Sequence, residues 1–334
     1  MVSASRAAAG PPSENHAASA VQVLTARSAA LPAADGPQQL GDLLLDYLRR
    51  QYRELLSQDP RVRAGEDDAV HKMRVATRRM RSALAGYGSV LAEQPALRLR
   101  GELRWIAGAL GQVRDPQVMH GRFRALLSAQ APELVVGGTA RRIDEELLAE
   151  QAAARAQLLE LLAGQRYGQL LQDLENLLRG PQRQAAAAGP AGRGGRDVVR
   201  RQRRRLKRHV KAALAAAPAR DGTGSGPAHG DGEEALHTAR KAAKRLRYSA
   251  EVWAGVDPGP AGKVAAAAER LQKILGEHQD AVVAAGYLRT FGASGARSGV
   301  NAFTFGRLHA IEQQRAAAAR REFEAAWADF PKVR

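Results

Sequence analysis

The 334-residue sequence predicts an all-α protein made of two similar helical halves around a basic cleft, and three observations carry that prediction. Apolar residues recur at helical spacing from about Pro37 onward, with no convincing strand. A cationic stretch is written twice, 166 residues apart: Val70-His71-Lys72-Met73-Arg74-Val75-Ala76-Thr77-Arg78-Arg79-Met80-Arg81, then Leu236-His237-Thr238-Ala239-Arg240-Lys241-Ala242-Ala243-Lys244-Arg245-Leu246-Arg247. A shorter stretch repeats in the same order, Leu110-Gly111-Gln112-Val113-Arg114-Asp115 and Leu275-Gly276-Glu277-His278-Gln279-Asp280. A fainter echo pairs Arg141, Glu146 and Arg155 with Arg307, Glu312 and Arg321. A long internal repeat marks a duplicated unit. The halves are therefore expected to pack about a pseudo-twofold axis, with both cationic stretches lining a shared cleft.

Taken in order, residues 1–37 are rich in Ala, Ser and Pro and lack both a charged start and a Leu/Val-rich run. They are expected to form a disordered tail, not a signal peptide. A single domain follows over 38–331, with half one at 38–180, a linker at 181–195 and half two at 196–331. In half one, helices are expected at about 38–58, 68–91, 95–113, 116–129, 138–164 and 167–179. Asp115-Pro116 has the form of an N-cap and first helical residue, and Gly111 would end the preceding helix. The Leu-Gly-x-x-x-Asp repeat has a second reading, in which its carboxylates hold arginines of the cationic rows in register. Segment 181–195 contains Gly192-Arg193-Gly194-Gly195 and is expected to be a flexible connection. Half two should carry helices at about 196–217, 232–254, 260–277, 281–292 and 300–328. The glycine-rich segment 219–232 between the first two is expected to be a mobile loop.

The cationic stretches have a definite geometry. At ~100° per residue, His71, Arg74, Arg78 and Arg81 fall within an arc of roughly 80°. Val70, Met73, Ala76, Thr77, Met80 and Leu84 form the adjacent core-facing stripe. The second copy repeats this with His237, Arg240, Lys244 and Arg247 beside Leu236, Ala239, Ala243, Leu246 and Ala250. Arg79 and Arg245 stand apart from the rows. A solvated helix face ordinarily mixes Glu with Lys at i, i+4, yet neither copy has an acid between its His and its last Arg. Rows that flank a core stripe belong at a groove between helices. Cations crowded into such a groove repel one another until an anion relieves them.

Composition points the same way. A formal net charge of +17 and a pI near 10.9 imply a polyanionic partner. There is no cysteine, which excludes disulfides and thiolate metal sites. No run approaches the ~18 apolar residues of a membrane span, so a cytoplasmic protein with no membrane partner is expected. The densest positive run, Arg200 to Lys211, has Val199, Leu206, Val210 and Leu214 as its apolar stripe. Arg201, Arg204, Arg208 and Lys211 lie nearly opposite that stripe. They read equally well as a solvated face or as one wall of a charged channel.

Chemistry beyond binding is not indicated. The P-loop, His-Glu-x-x-His and Gly-x-Ser-x-Gly patterns are missing, as is an acid cluster suited to the metals of phosphoryl transfer. His71 and His237 lack a second ligand at i+3 or i+4, so no metal or cofactor is expected. Next to several arginines each should resist protonation until an anion arrives.

The segments Val70 to Arg81 and Leu236 to Tyr248, with Leu110 to Asp115 and Leu275 to Asp280, resemble the CHAD family of histidine-containing α-helical domains. The resemblance runs from about Leu40 to Phe330, and the intact His-x-x-Arg-x-x-x-Lys-Arg-Leu-Arg-Tyr form through Tyr248 is its most specific part. It implies two helical bundles around a basic central cleft or pore that binds inorganic polyphosphate, in some members at polyphosphate granules. Carried over, the ligand contacts are His71, Arg74, Arg78, Arg79 and Arg81 with His237, Arg240, Lys244, Arg245 and Arg247. The Arg201–Lys211 face is an extension. Some members carry a triphosphate-hydrolysing domain, for which this chain has no room, so binding without catalysis is expected. The 219–232 loop departs from the compact connection of the family and affects the cleft entrance.

Two other functions remain. A nucleic-acid binder would share the salt dependence, but aromatic residues are only 4% of the chain and no aromatic ladder accompanies the arginines. The third reading is an accessory subunit of a polyphosphate- or triphosphate-processing enzyme.

Overall fold

The computed structural model describes residues 14–29, 38–216, 228–297 and 301–331. These residues form ten α-helices, with two short 3₁₀ turns and no strand among them. The first set is α1 (Glu14–Ala29), α2 (Leu40–Ala64), α3 (Ala69–Gly86), α4 (Glu93–Ser128), α5 (Thr139–Ala163) and α6 (Gln165–Arg179). The second set is α7 (Ala191–Ala215), α8 (Ala228–Trp253), α9 (Pro258–Arg297) and α10 (Phe303–Ala328). Helices α3 and α8 carry the cationic stretches, and α4 and α9 the shorter repeat.

Three apolar clusters hold these helices together. The first joins α1 to α6 through residues such as Leu43, Tyr52, Met73, Met80, Leu103 and Leu171. The second joins α7 to α10 through Val199, Leu206, Leu246, Trp253, Leu271 and Phe323. The third packs the outer half of α4 and the start of α5 (Met119, Phe123, Ile143, Leu147) against the outer half of α9 and the start of α10 (Leu288, Phe291, Phe305, Leu308). The two sets therefore meet at this outer cluster and again where α3 crosses α8. At that crossing Gly86 matters, since a Cβ there would lie 2.7 Å from Ser249 Oγ. The Tyr87 hydroxyl donates to the Ser249 carbonyl at 2.9 Å.

Several sequence expectations need correction. Helix α4 is continuous from Glu93 to Ser128, with Pro116 inside it, where two helices were expected. Pro116 forfeits one backbone hydrogen bond, but the helix is buried on both sides of it, Leu110 and Val113 in the first cluster and Met119 and Phe123 in the third. Helix α9 likewise runs straight through Gly276. The connection 181–195 is tied down: Gln184 N–H donates to Val90 O, Leu40 N–H to Gly189 O and Ala191 N–H to Gln38 O. A 3₁₀ turn at Ala185–Ala188 buries Ala187, and α7 already starts at Ala191. Its glycines serve close packing, because a Cβ on Gly195 would lie 2.7 Å from the Trp253 ring. Within the expected tail, residues 14–29 form α1, which buries Val21 and Leu24. Positions 1–13 and 30–37 lie outside the described residues. So does most of the 219–232 loop, whose end, from Ala228, is already helical.

A cationic cleft between α3 and α8

The apolar stripes anticipated for both cationic helices are buried. Met73, Ala76, Thr77, Met80 and Leu84 are at most 1% exposed, and Ala239, Ala243, Leu246 and Ala250 are 0% exposed. This rotation fixes where the rows point. Arg74, Arg78 and Arg81 of α3 and Arg240, Lys244 and Arg245 of α8 are all half-buried. They lie within each other's electrostatic reach: Arg240 acts on Arg74, Arg78 on Arg240 and Lys244, and Arg245 on Arg81. The two rows thus lie beside one another where α3 packs against α8.

The shorter repeat supports the rows from behind. Arg74 Nη2 is 3.3 Å from Asp115 on α4, and Arg240 Nη2 is 3.9 Å from Asp280 on α9. A Cβ on Gly111 would lie 3.5 Å from the Arg74 guanidinium, and one on Gly276 3.5 Å from that of Arg240. The Leu-Gly-x-x-x-Asp pattern is therefore an arginine seat within a continuous helix. Its glycine leaves room for the side chain and its aspartate holds the outer end.

Beyond these two aspartates the rows are little neutralised. Among the described residues, Arg78, Arg81, Lys244 and Arg245 have no ion-pair partner. The Nε atoms of Arg74 and Arg240 are buried and bonded to nothing, an expense that an anion would remove. Burial, followed by repulsion from Arg78, Arg240 and Arg74, pushes Lys244 down to about 6. Burial also lowers the proton affinity of Arg74, Arg81, Arg240 and Arg245, with neighbouring guanidiniums acting in the same direction. Arginines nevertheless stay charged, so their repulsion is fixed.

One acid breaks the symmetry of the rows. Glu251 on α8 takes Arg79 at 3.1 Å and Arg247 at 2.9 Å, and accepts a hydrogen bond from the Tyr47 hydroxyl at 2.9 Å. Arg247 also lies 3.4 Å from Glu269. Ala85 stands at the matching place in the first copy. Arg81 therefore stays unpaired while its counterpart Arg247 is neutralised. Arg245 stays unpaired while its counterpart Arg79 is neutralised. Expectation and structure differ here: Arg79 and Arg247 are joined to an internal carboxylate, and Arg245, expected to stand apart from its row, belongs to the cationic field.

The histidines sit at one end of the rows. Partial burial, then the field of Arg114, lowers the pKa of His71, in line with its expected resistance to protonation. His237 Nδ1 lies 3.1 Å from Gln279 Oε1. Near that end Arg122 forms ion pairs at 2.6 Å with both Glu277 and the buried Glu312, tying α4 to α9 and α10. Among the described residues no group of three or more His, Asp or Glu is arranged to hold a metal ion. No described helix is long and apolar enough to cross a membrane.

On α7, Arg201, Arg204, Arg208 and Lys211 are exposed, as their position opposite the stripe requires. The part of α7 that reaches the rows is instead the edge carrying Arg205 and His209. Arg205 acts on Arg245, and burial followed by Arg205, Arg208 and Arg245 lowers the pKa of His209. Sequence reasoning also missed Arg100 and Arg104 on α4, both of which act on Arg81. Their signal was present: they stand at i, i+4 beside the buried Leu99 and Leu103, the same flanking geometry as in the rows.

A helical bundle with two cationic helices opposed across a partly desolvated cleft is what fold and site together define. The chain belongs to the CHAD domain family, whose model matches residues 46–289. It is 34% identical over 97% of its length to two uncharacterized proteins of Mycobacterium tuberculosis, Rv2226 and MT2285, and spans 60% of their length. Its fold is similar to PptA from Streptomyces chartreusis (TM-score 0.71, 23% identity, 87% of this chain and 100% of that one). It is also similar to the CHAD domain from the plant Ricinus communis (TM-score 0.65, 22% identity, 91% and 97%). Family membership is consistent with polyphosphate- or triphosphate-related binding at the level of the family.

Proposed function

We propose that the cleft binds inorganic polyphosphate, without turning it over. The observation that carries this reading is the set of opposed, half-buried cations Arg74, Arg78, Arg81, Arg240, Lys244 and Arg245, whose mutual repulsion only a ligand of closely spaced negative charges relieves. Each row is about 15 Å long at ~1.5 Å per residue, enough for several consecutive phosphates. Each phosphate accepts charge-assisted bonds worth about 1.5–3 kcal/mol before losses. His71 and His237 act as further donors at one end, and exposed Arg201, Arg204, Arg208 and Lys211 strengthen the surrounding field. Arg79 and Arg247 support the cleft through Glu251. Such a protein would serve in the cytoplasm or at polyphosphate granules.

Nucleic acid is the main competitor. One arginine of the rows stacks on an aromatic, but Arg247 engages Tyr248, whose ring is buried and not offered to a base. Titration with size-graded polyphosphate in the presence of charge-matched DNA tests the reading. Displacement by DNA at equal charge would favour the nucleic-acid function. Phosphate release by the pure protein with magnesium or manganese would make it an enzyme.

A further inference from the structure

The cationic strip does not stop where the repeated stretches stop. Past Arg81 the next charges are Arg100 and Arg104 on α4 and Arg245 on α8, all acting on Arg81. Arg245 in turn feels Arg205 and Arg100, and Arg205 leads to His209 and Arg208 along one edge of α7. Four helices thus contribute to one continuous run. Among the described residues none of Arg81, Arg100, Arg104, Arg205 and Arg245 has an ion-pair partner, and the Arg100 Nε is buried with no acceptor. The opposite end is different in kind. There the cations alternate with Asp115, Asp280, Glu277 and Glu312.

We infer that Arg100, Arg104 and Arg205 form a second anion-binding segment, at the Arg81 end of the rows, that takes up the phosphates of a polyphosphate chain beyond those held by the two rows. This inference rests on the polyphosphate reading and extends the site beyond the two rows. A linear chain held by this segment continues past Arg81 and Arg245 toward Arg74 and Arg240. At the far end the carboxylates oppose its further advance. A short oligophosphate is held by the rows alone and gains little from the second segment, whereas a long chain spans both.

The test compares the unaltered full chain with the Arg100→Ala/Arg104→Ala/Arg205→Ala variant, using tripolyphosphate and a polyphosphate of about 45 units as probes in calorimetry. Thermal melting first establishes that the variant is folded. The expected loss of affinity depends on length: within about twofold for tripolyphosphate, and roughly tenfold or more for the long chain. The slope of log affinity against log salt should fall by about 2 for the long chain, taking roughly 0.7 per phosphate contact on a flexible polyanion. An equal loss on both probes, or no loss on the long one, overturns the second segment while leaving the rows as the binding site. Failure of the unaltered protein to bind either probe overturns the polyphosphate reading and this inference with it.

Discussion

Arg79 on α3 ends 3.1 Å from Glu251 on α8, and this ion pair crosses between the helices that carry the two cationic rows. The same carboxylate holds Arg247 and accepts from Tyr47. Rows that repel each other need a tie, and Glu251 supplies it near the place where Gly86 of α3 meets Ser249 of α8. Two arginines of the repeated pattern are thereby spent on holding the cleft together, and the others remain available to a ligand.

Replacing Glu251 should accordingly cost stability. The carboxylate is 19% exposed, and its removal leaves Arg79 and Arg247 partly buried beside a row of like charges. Glu251→Gln is expected to destabilise the protein by about 2–4 kcal/mol in urea unfolding. A change below experimental error would show that the tie is dispensable.

A second expectation concerns Arg122. Its loss removes the shortest ion pair of the buried carboxylate of Glu312, which is 0% exposed and keeps only the looser contact with Arg315 at 3.4 Å, and it removes a polar tie between α4 and helices α9 and α10. Arg122→Ala should cost about 3–5 kcal/mol, read from the urea midpoint at unchanged slope. The double variant Arg122→Ala/Glu312→Leu should recover much of that loss, because no unpaired charge then remains inside.

Lys244 makes binding depend on pH. In the free protein burial and its arginine neighbours hold it at about 6, against an ordinary 10.5. An anion seated beside it raises that value, so binding above pH 6 takes up a proton. Affinity should be greatest below about 6 and fall as pH rises from there toward the higher pKa of the bound form. For the free protein the sign is opposite to that of a paired lysine: stability is lost as pH falls from about 10.5 to about 6, because the unfolded chain binds the proton that the fold resists. Calorimetry of polyphosphate binding near neutral pH, in buffers of different ionisation heat, should register proton uptake that Lys244→Met abolishes. Equal heats in all buffers would contradict the role given to Lys244.

The arginine seats predict a graded response to size. A Cβ on Gly111 lies at ordinary van der Waals distance from Arg74, 3.5 Å. Gly111→Ala should therefore be tolerated, raising stability by roughly 0.5–1 kcal/mol through helix propensity. Gly111→Leu must push the guanidinium aside and should weaken polyphosphate binding. If alanine already abolished binding, the glycine would have some role other than making room.

Much of this was legible in the chain. The period of the apolar residues fixed the rotation of α3 and α8, and hence which way Arg74, Arg78, Arg240 and Lys244 point. The repeat announced that two such helices exist, and the opposed rows agree with the cleft expected from it. What escaped was contact between segments distant in sequence. Glu251 lies just four residues past Arg247, outside the repeated window, and nothing local says that it also reaches Arg79. Arg100, Arg104 and Arg205 belong to helices whose packing against α3 and α8 has no signature in spacing alone. Pro116 and Gly111 were misread because local rules treat them as helix breakers, while apolar residues on either side of them are buried in two separate clusters that hold the helix together. The linker at 181–195 was misread for a related reason: its glycines admit Leu40 and Trp253 at close range and do not confer freedom.

The most direct measurement is the affinity of the Arg74→Ala/Arg78→Ala/Arg81→Ala variant for polyphosphate, taken together with its melting temperature. Removing three mutually repelling cations should leave the fold intact or slightly more stable at low salt, and most of the affinity should vanish. A folded variant that binds polyphosphate as tightly as the unaltered protein would contradict the claim that the opposed rows are where the polymer is held.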